Sequence, residues 1–107
     1  MAYKYFEIEN DNHVKIIQIN RSDALNALNA DLMLELSTII NESQKDKNVR
    51  VLVLTGTDKV FAAGADIKDM HAKSFVEMVD GDFFRPATEA IDSLQKPIIA
   101  AVSGYAL

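Results

Sequence analysis

Residues 49–70 read V-R-V-L-V-L-T-G-T-D-K-V-F-A-A-G-A-D-I-K-D-M and join an apolar run to a cluster of small residues. The run at 49–55 is apolar and β-branched, which is typical of a strand covered on both faces in a parallel sheet. The small residues let a ligand approach the backbone closely. If a helical turn begins near Ala65, its free N–H groups would also attract negative charge. The alternative interpretation is a tight turn packed with alanines, and the local pattern alone favours that alternative.

The segments before this stretch predict a hairpin followed by a helix. Residues 3–9 alternate in polarity and residues 13–20 are rich in β-branched side chains, so the turn-forming cluster at 10–12 predicts an antiparallel hairpin between them. Asn29 is the expected N-cap of the helix, with Asp31 in its first turn. The apolar positions that recur at helical spacing are Leu32, Met33, Leu36, Ile39 and Ile40. We interpret this apolar stripe as core rather than as a groove for a partner.

The segments after it predict a helical region and a last strand. Residues 72–94 have helical character, and Gly81 and Pro86 divide them into two pieces. The Lys-Pro pair that follows ends the helix and starts a strand at 98–102. The order of hairpin, helix, strand, helical segment and strand predicts an α/β domain with a mostly parallel sheet.

Composition excludes several classes of function. The length of 107 residues suits one small domain, and 49% hydrophobic residues support a packed core. The net charge of -5 with no basic face argues against a nucleic-acid partner. The absence of cysteine excludes disulfides and zinc–thiolate sites. No apolar run is long enough to span a membrane and no leader is visible, so we expect a cytoplasmic protein without a membrane partner.

Three collinear segments resemble the crotonase (enoyl-CoA hydratase/isomerase) family. R-S-D-A-L-N-A-L at 21–28 is similar to its R-P-x-A-L-N-A-L segment, and residues 49–70 are similar to its central signature. K-P-I-I-A-A-V-S-G-Y-A-L at 96–107 resembles the strand and turn before its glycine triplet. The resemblance implies a ClpP/crotonase-like α/β fold of repeated β-β-α units, with residues 1–107 as the N-terminal part of a single domain. It also implies a homo-oligomer, either a trimer or a dimer of trimers.

The resemblance implies an acyl-CoA thioester as substrate. The expected reaction is that of an enoyl-CoA hydratase: syn addition of water to trans-2-enoyl-CoA, giving 3-hydroxyacyl-CoA, as in fatty-acid β-oxidation. Coenzyme A is then part of the substrate, and we expect no separate cofactor and no metal. The alternatives are an enoyl-CoA isomerase, a hydroxyacyl-CoA dehydratase, or a non-catalytic acyl-CoA-binding or assembly fragment. The acids that separate these chemistries are expected beyond Leu107, so we expect the 107-residue chain to be inactive alone.

The resemblance also assigns residues to the site. The backbone N–H of Ala65 matches the first of two donors that stabilise the thioester enolate, and the second is expected beyond Leu107. The other positions that match substrate contacts are Ala24, Leu25, Ala63, Asp66, Ile67 and Lys68. Asp23 replaces a residue that is often basic in the hydratases, which weakens the phosphate contact expected of this loop.

Overall fold

The computed structural model describes residues 3–66 and 84–107, which form two sheets and two α-helices. In chain order the elements are β1 (Phe6–Asp11), β2 (Val14–Ile19), a 3-10 helix (Ser22–Ala24), α1 (Ala30–Lys45), β3 (Val51–Thr55), β4 (Val60–Ala62), α2 (Arg85–Ser93), β5 (Ile98–Ala101) and β6 (Tyr105–Ala106). No helix in these two ranges has the length and apolar character needed to cross a membrane.

The larger sheet has the strand order β1-β2-β3-β5. The first pair is antiparallel and the next two pairs are parallel, which confirms the predicted hairpin and the mostly parallel sheet. The turn begins two residues later than predicted, at Asn12, because β1 continues through Asp11 and pairs it with Val14. Asn12 then carries the turn with a left-handed φ of 56°, a conformation that asparagine tolerates better than most residues.

The core lies between α1, α2 and the larger sheet. Asn29 caps α1 as predicted, since its Oδ1 accepts a hydrogen bond of 2.8 Å from the Leu32 N–H. All five predicted apolar positions of α1 are buried, and they share one cluster with Phe6, Ile17, Ile19, Val49, Leu52, Ala87 and Ala90. The apolar stripe is therefore core.

The other predicted elements shift at their ends. The strand predicted at 49–55 begins at Val51, because the Val49 N–H is bonded to the Asp46 carbonyl in a turn. Leu52 is fully buried while its neighbours in β3 are half-buried, so the second face of this strand is only partly covered. Of the two predicted helical pieces, the second is α2, with Pro86 in its first turn. The first piece lies outside the described residues.

Strands β4 and β6 form a small parallel sheet that the sequence did not predict. Gly104 makes the turn into β6 with a φ of 70°, and a Cβ at this position would overlap the Lys59 carbonyl oxygen. The Tyr105 N–H donates to that carbonyl at 3.1 Å, and the Leu107 N–H donates to the Ala62 carbonyl at 3.0 Å. These bonds hold the last residues of the chain beside the small-residue stretch.

Candidate functional site

Ala65 lies in an isolated parallel β-bridge with Leu28. Two backbone hydrogen bonds of 2.8 Å make the bridge: the Leu28 N–H donates to the Gly64 carbonyl, and the Asp66 N–H donates to the Leu28 carbonyl. The backbone at Ala65 is thus held by strand-like pairing. The residues that would form a helical turn after Asp66 lie outside the described residues.

The bridge fixes the direction of the Ala65 N–H. In a trans peptide the C=O and the N–H point in opposite directions, and Leu28 holds the Gly64 carbonyl of this peptide. The Ala65 N–H therefore points away from Leu28, and it donates to no residue of the described part of the chain. Because Ala65 is half-buried, this N–H is a donor of fixed direction that a bound acceptor can use.

Gly64 precedes this donor and needs to be glycine. Its φ is 102°, a value that residues with a Cβ rarely adopt. A Cβ at this position would also lie 3.2 Å from the Leu107 carbonyl oxygen, which is tighter than ordinary contact. A side chain here would strain the peptide that carries the donor.

The loop before Leu28 is attached to β2 and β4 by the side chain of Asn26. This residue has no solvent exposure and a left-handed φ of 58°. Its Nδ2 lies 3.2 to 3.4 Å from the carbonyl oxygens of Ile19, Val60 and Phe61, and its Oδ1 accepts a 2.8 Å hydrogen bond from the Arg21 N–H. A buried amide with all of these partners holds the loop in one position.

Arg21 joins the two sides of the bridge. Its Nη1 donates to the Ala27 carbonyl at 2.7 Å and to the Asp66 carboxylate at 2.8 Å. The side chains of Arg21 and Asp66 are only 17% and 14% exposed, so their ion pair is partly shielded from solvent. The guanidinium carbon also lies 5.8 Å from the centroid of the Tyr5 ring, within cation–π distance.

Ala65 lines a cleft of about 450 Å³. The residues that line it are Arg21, Asp23, Ala24, Ala27, Ala63, Ala65 and Asp66. The structure thus brings together four residues that the sequence assigned to the site, namely Ala24, Ala63, Ala65 and Asp66. Leu25 lies on an adjacent apolar cleft of about 330 Å³, together with Val60, Ala63, Tyr105 and Leu107. Ile67 and Lys68 lie outside the described residues.

The cleft has no excess of positive charge in its described lining. Arg21 is paired with Asp66, and Asp23 adds a further carboxylate at the cleft. The expectation that Asp23 weakens a phosphate contact of the loop stays a prediction. Across 3–66 and 84–107, no group of three histidine, cysteine, aspartate or glutamate side chains could hold a metal ion.

Three residues of the site were not assigned from the sequence: Arg21, Asn26 and Leu28. The loop was recognised, but the roles of these residues depend on partners far along the chain, in β4 and at residues 64–66. One signal was available for Asn26, because asparagine in a short loop often marks a left-handed turn. No local signal predicts the pairing of Leu28 with Ala65.

Comparisons with known proteins agree with the sequence resemblance. A model of the enoyl-CoA hydratase/isomerase family matches residues 9–107. The chain is 45% identical over 107 residues to a probable enoyl-CoA hydratase of Rhizobium meliloti, covering 100% of this chain and 41% of that relative. It is 45% identical over 96 residues to a mitochondrial enoyl-CoA hydratase of Pongo abelii, covering 90% of this chain and 33% of that relative.

Solved structures give the same result for the fold. The crystal structure of an enoyl-CoA hydratase from Bacillus anthracis superposes with a TM-score of 0.86 at 31% identity, covering 94% of this chain and 40% of that one. The chain therefore spans less than half the length of the relatives that it matches.

Proposed function

The chain belongs to the enoyl-CoA hydratase/isomerase family and has its crotonase-like fold, and we propose that the whole protein is an enoyl-CoA hydratase. The proposed reaction is syn addition of water to trans-2-enoyl-CoA, giving 3-hydroxyacyl-CoA, in fatty-acid β-oxidation or a related route. The names of the relatives at 45% identity support this choice. The structural observation that supports it is the Ala65 N–H, which has a fixed direction and has no acceptor among the described residues, on a half-buried residue that lines a cleft.

The chemistry requires a donor of this kind. When water attacks C3 of the enoyl group, electrons move onto the thioester oxygen and an enolate forms, before a proton is added at C2. An N–H group already aimed at that oxygen stabilises the charge without reorganising. The loss of one such donor typically costs ~2.7–4 kcal/mol of transition-state stabilisation. We assign the Ala65 N–H as the first donor of this oxyanion hole.

We place the second donor and the catalytic glutamates in the part of the protein that follows Leu107. Strand β6 runs parallel to β4, and the Leu107 N–H is bonded to the Ala62 carbonyl. A chain that continued in this direction would pass beside Ala65, where a second N–H could reach the same oxygen. Residues 1–107 alone would then bind substrate incompletely and would not hydrate it.

We propose that the cleft residues contact the coenzyme A portion of the substrate. Ala24, Ala63 and Ala65 leave room for a narrow pantetheine arm, and Leu25 offers an exposed apolar surface beside it. Asp66 and the two residues outside the described part, Ile67 and Lys68, complete the proposed contacts. Coenzyme A is then part of the substrate, and the proposal involves no metal and no further cofactor.

We also propose that the whole protein is a cytoplasmic homo-oligomer, a trimer or a dimer of trimers. Several large apolar side chains of the last strands are exposed, with Ile99 at 53%, Tyr105 at 68% and Leu107 at 84%. Apolar surface of this extent requires cover from the rest of the protein or from another subunit. It also argues against the alternative of a free-standing, non-catalytic binding fragment. Light scattering on the whole protein measures the oligomer.

The remaining alternatives within the family are isomerisation of the enoyl double bond and dehydration of other hydroxyacyl-CoA thioesters. The family description itself covers hydratases and isomerases. A substrate pair separates them: a hydratase consumes crotonyl-CoA with uptake of water, whereas an isomerase converts a 3-enoyl-CoA to the 2-enoyl isomer without it.

Ala65→Val in the whole protein tests the proposed donor. The N–H is retained, but the added bulk blocks the approach of the thioester, so we expect kcat/KM for crotonyl-CoA to fall by about 10²–10³, as after loss of an oxyanion donor. Ala65→Gly is the matched control, because it keeps the N–H and adds no bulk, and it should retain most of the activity. The loss of the enoyl-thioester absorbance measures both rates. Unchanged turnover in the valine variant would show that the assignment of Ala65 is wrong.

A further inference from the structure

The bridge that orients the proposed donor consists of few contacts. It is an isolated bridge with two backbone hydrogen bonds, and the residue before the donor, Gly64, has the freedom of a glycine. Rotation of the peptide between Gly64 and Ala65 would change the direction of the Ala65 N–H. The Leu28 N–H resists this rotation by holding the Gly64 carbonyl, so the position of Leu28 determines the direction of the donor.

Arg21 contacts both sides of this bridge at the neighbouring residues. Ala27 immediately precedes Leu28 and Asp66 immediately follows Ala65, and Nη1 of Arg21 donates to both within 2.8 Å. We propose that Arg21 is a positioning residue, which holds Leu28 and Ala65 in register and thereby directs the Ala65 N–H at the substrate oxygen. This inference rests on the proposed function.

The positive charge of Arg21 would also help the Ala65 N–H to stabilise the developing anion. Asp66 is next to the atom that would stabilise a developing anion, and an unpaired carboxylate there would oppose that anion. The guanidinium pairs with this carboxylate in a site that is mostly shielded from solvent, and it lies within cation–π distance of the Tyr5 ring. Charge-assisted hydrogen bonds of this length are stronger than neutral ones.

The test compares Arg21→Gln, Arg21→Lys and the control Arg50→Gln in the whole protein. Arg50 is exposed and lies outside the cleft, so its variant removes a positive charge without touching the bridge. We expect Arg21→Gln to lower kcat for crotonyl-CoA by ~10- to 100-fold with a smaller change in KM, because a misplaced donor weakens the transition state. Arg21→Lys keeps the charge and should retain more activity than Arg21→Gln.

Amide hydrogen exchange supplies a readout besides activity. In Arg21→Gln the N–H groups of Leu28 and Asp66 should exchange faster than in the wild type, while the amides of α1 keep their protection. Equal protection of Leu28 with unchanged kcat would overturn the proposal. A uniform loss of protection with unchanged turnover per folded molecule would also overturn it, since Arg21 would then be only structural.

The test can also be decided if Arg21→Gln does not fold or if the wild-type protein is inactive. If Arg21→Gln does not fold, Asp66→Asn removes the charge of the pair at nearly constant volume. The Asp66→Asn variant should increase the exchange rate of the Leu28 amide and lower kcat. If neither quantity changes, the proposal is overturned. If the wild-type protein does not hydrate crotonyl-CoA, the proposed function fails, while the exchange comparison still decides whether Arg21 holds the bridge.

Discussion

Different forces hold the core beneath α1 and the loop that carries the bridge. In the core, Ile17, Leu32 and Ile40 have no solvent exposure, and their contacts are apolar. In the loop, the buried side chain is the amide of Asn26, and the partly shielded ion pair of Arg21 lies beside it. Apolar burial has no preferred direction, whereas hydrogen bonds do. The core therefore stabilises the fold, and the polar loop sets the direction of one N–H group.

Leu32→Ala should give the largest change in stability. Leu32 is fully buried at the centre of the α1 core, so its truncation removes apolar burial and leaves a cavity. We expect the free energy of unfolding to fall by about 2–5 kcal/mol, measured as a lower urea midpoint of the whole protein. Turnover per folded molecule should stay close to the wild-type value. A large loss of turnover with unchanged stability would contradict the conclusion that the core stabilises the fold while the loop orients the N–H.

Asn26→Ala should have a smaller effect on stability and a larger one on activity. The substitution removes the acceptor of the Arg21 N–H and the Nδ2 contacts to three carbonyls, at a cost of about 1–3 kcal/mol. The Val60 carbonyl keeps its bond from the Thr57 N–H. Because the loop also positions Leu28, we expect kcat for crotonyl-CoA to fall together with the protection of the Leu28 amide. Ser43→Ala is the matched control: Ser43 is equally buried, but its hydroxyl is bonded only within α1, to the Ile39 carbonyl. Equal activity losses in the two variants would contradict the role of the loop.

The smallest and most local effect on stability is expected from the ionisation of Tyr3. Burial, a 2.9 Å hydrogen bond to the Glu42 carboxylate and the charges of Glu42 and Glu35 raise the pKa of Tyr3 above its ordinary value of 10.0. The folded state therefore disfavours the tyrosinate. This stabilisation is fully present below the pKa of the unfolded chain and is lost as pH rises through the folded pKa.

We therefore expect the wild type to lose stability above pH ~10 more steeply than Tyr3→Phe. Urea denaturation at several alkaline pH values measures this difference. Glu42→Gln should reduce the steepness without removing the phenol, and turnover at neutral pH should stay near the wild-type value. Identical pH slopes in the wild type and Tyr3→Phe would exclude the contribution of this contact.

Elements built from local contacts were predicted well. The helix α1 appears with its N-cap at Asn29 and all five of its apolar positions buried, because a period of 3.6 residues and a capping side chain are local properties. The hairpin was also predicted, with its turn displaced by two residues. Strands β4 and β6 were not predicted, since three and two residues are too few to show a period.

The sequence by itself determined the order of the main elements, the core face of α1, and a small residue at position 65 within a recognisable family pattern. Only the tertiary structure decided the direction of the Ala65 N–H and placed Ala65 at the cleft. That direction depends on Leu28, which is distant along the chain and is bonded to Gly64 and Asp66, the two neighbours of Ala65. Arg21 is bonded to Asp66, and Asn26 holds the loop that carries Leu28. Periodicity reports which face of an element is apolar, but it carries no information on the orientation of an individual peptide group.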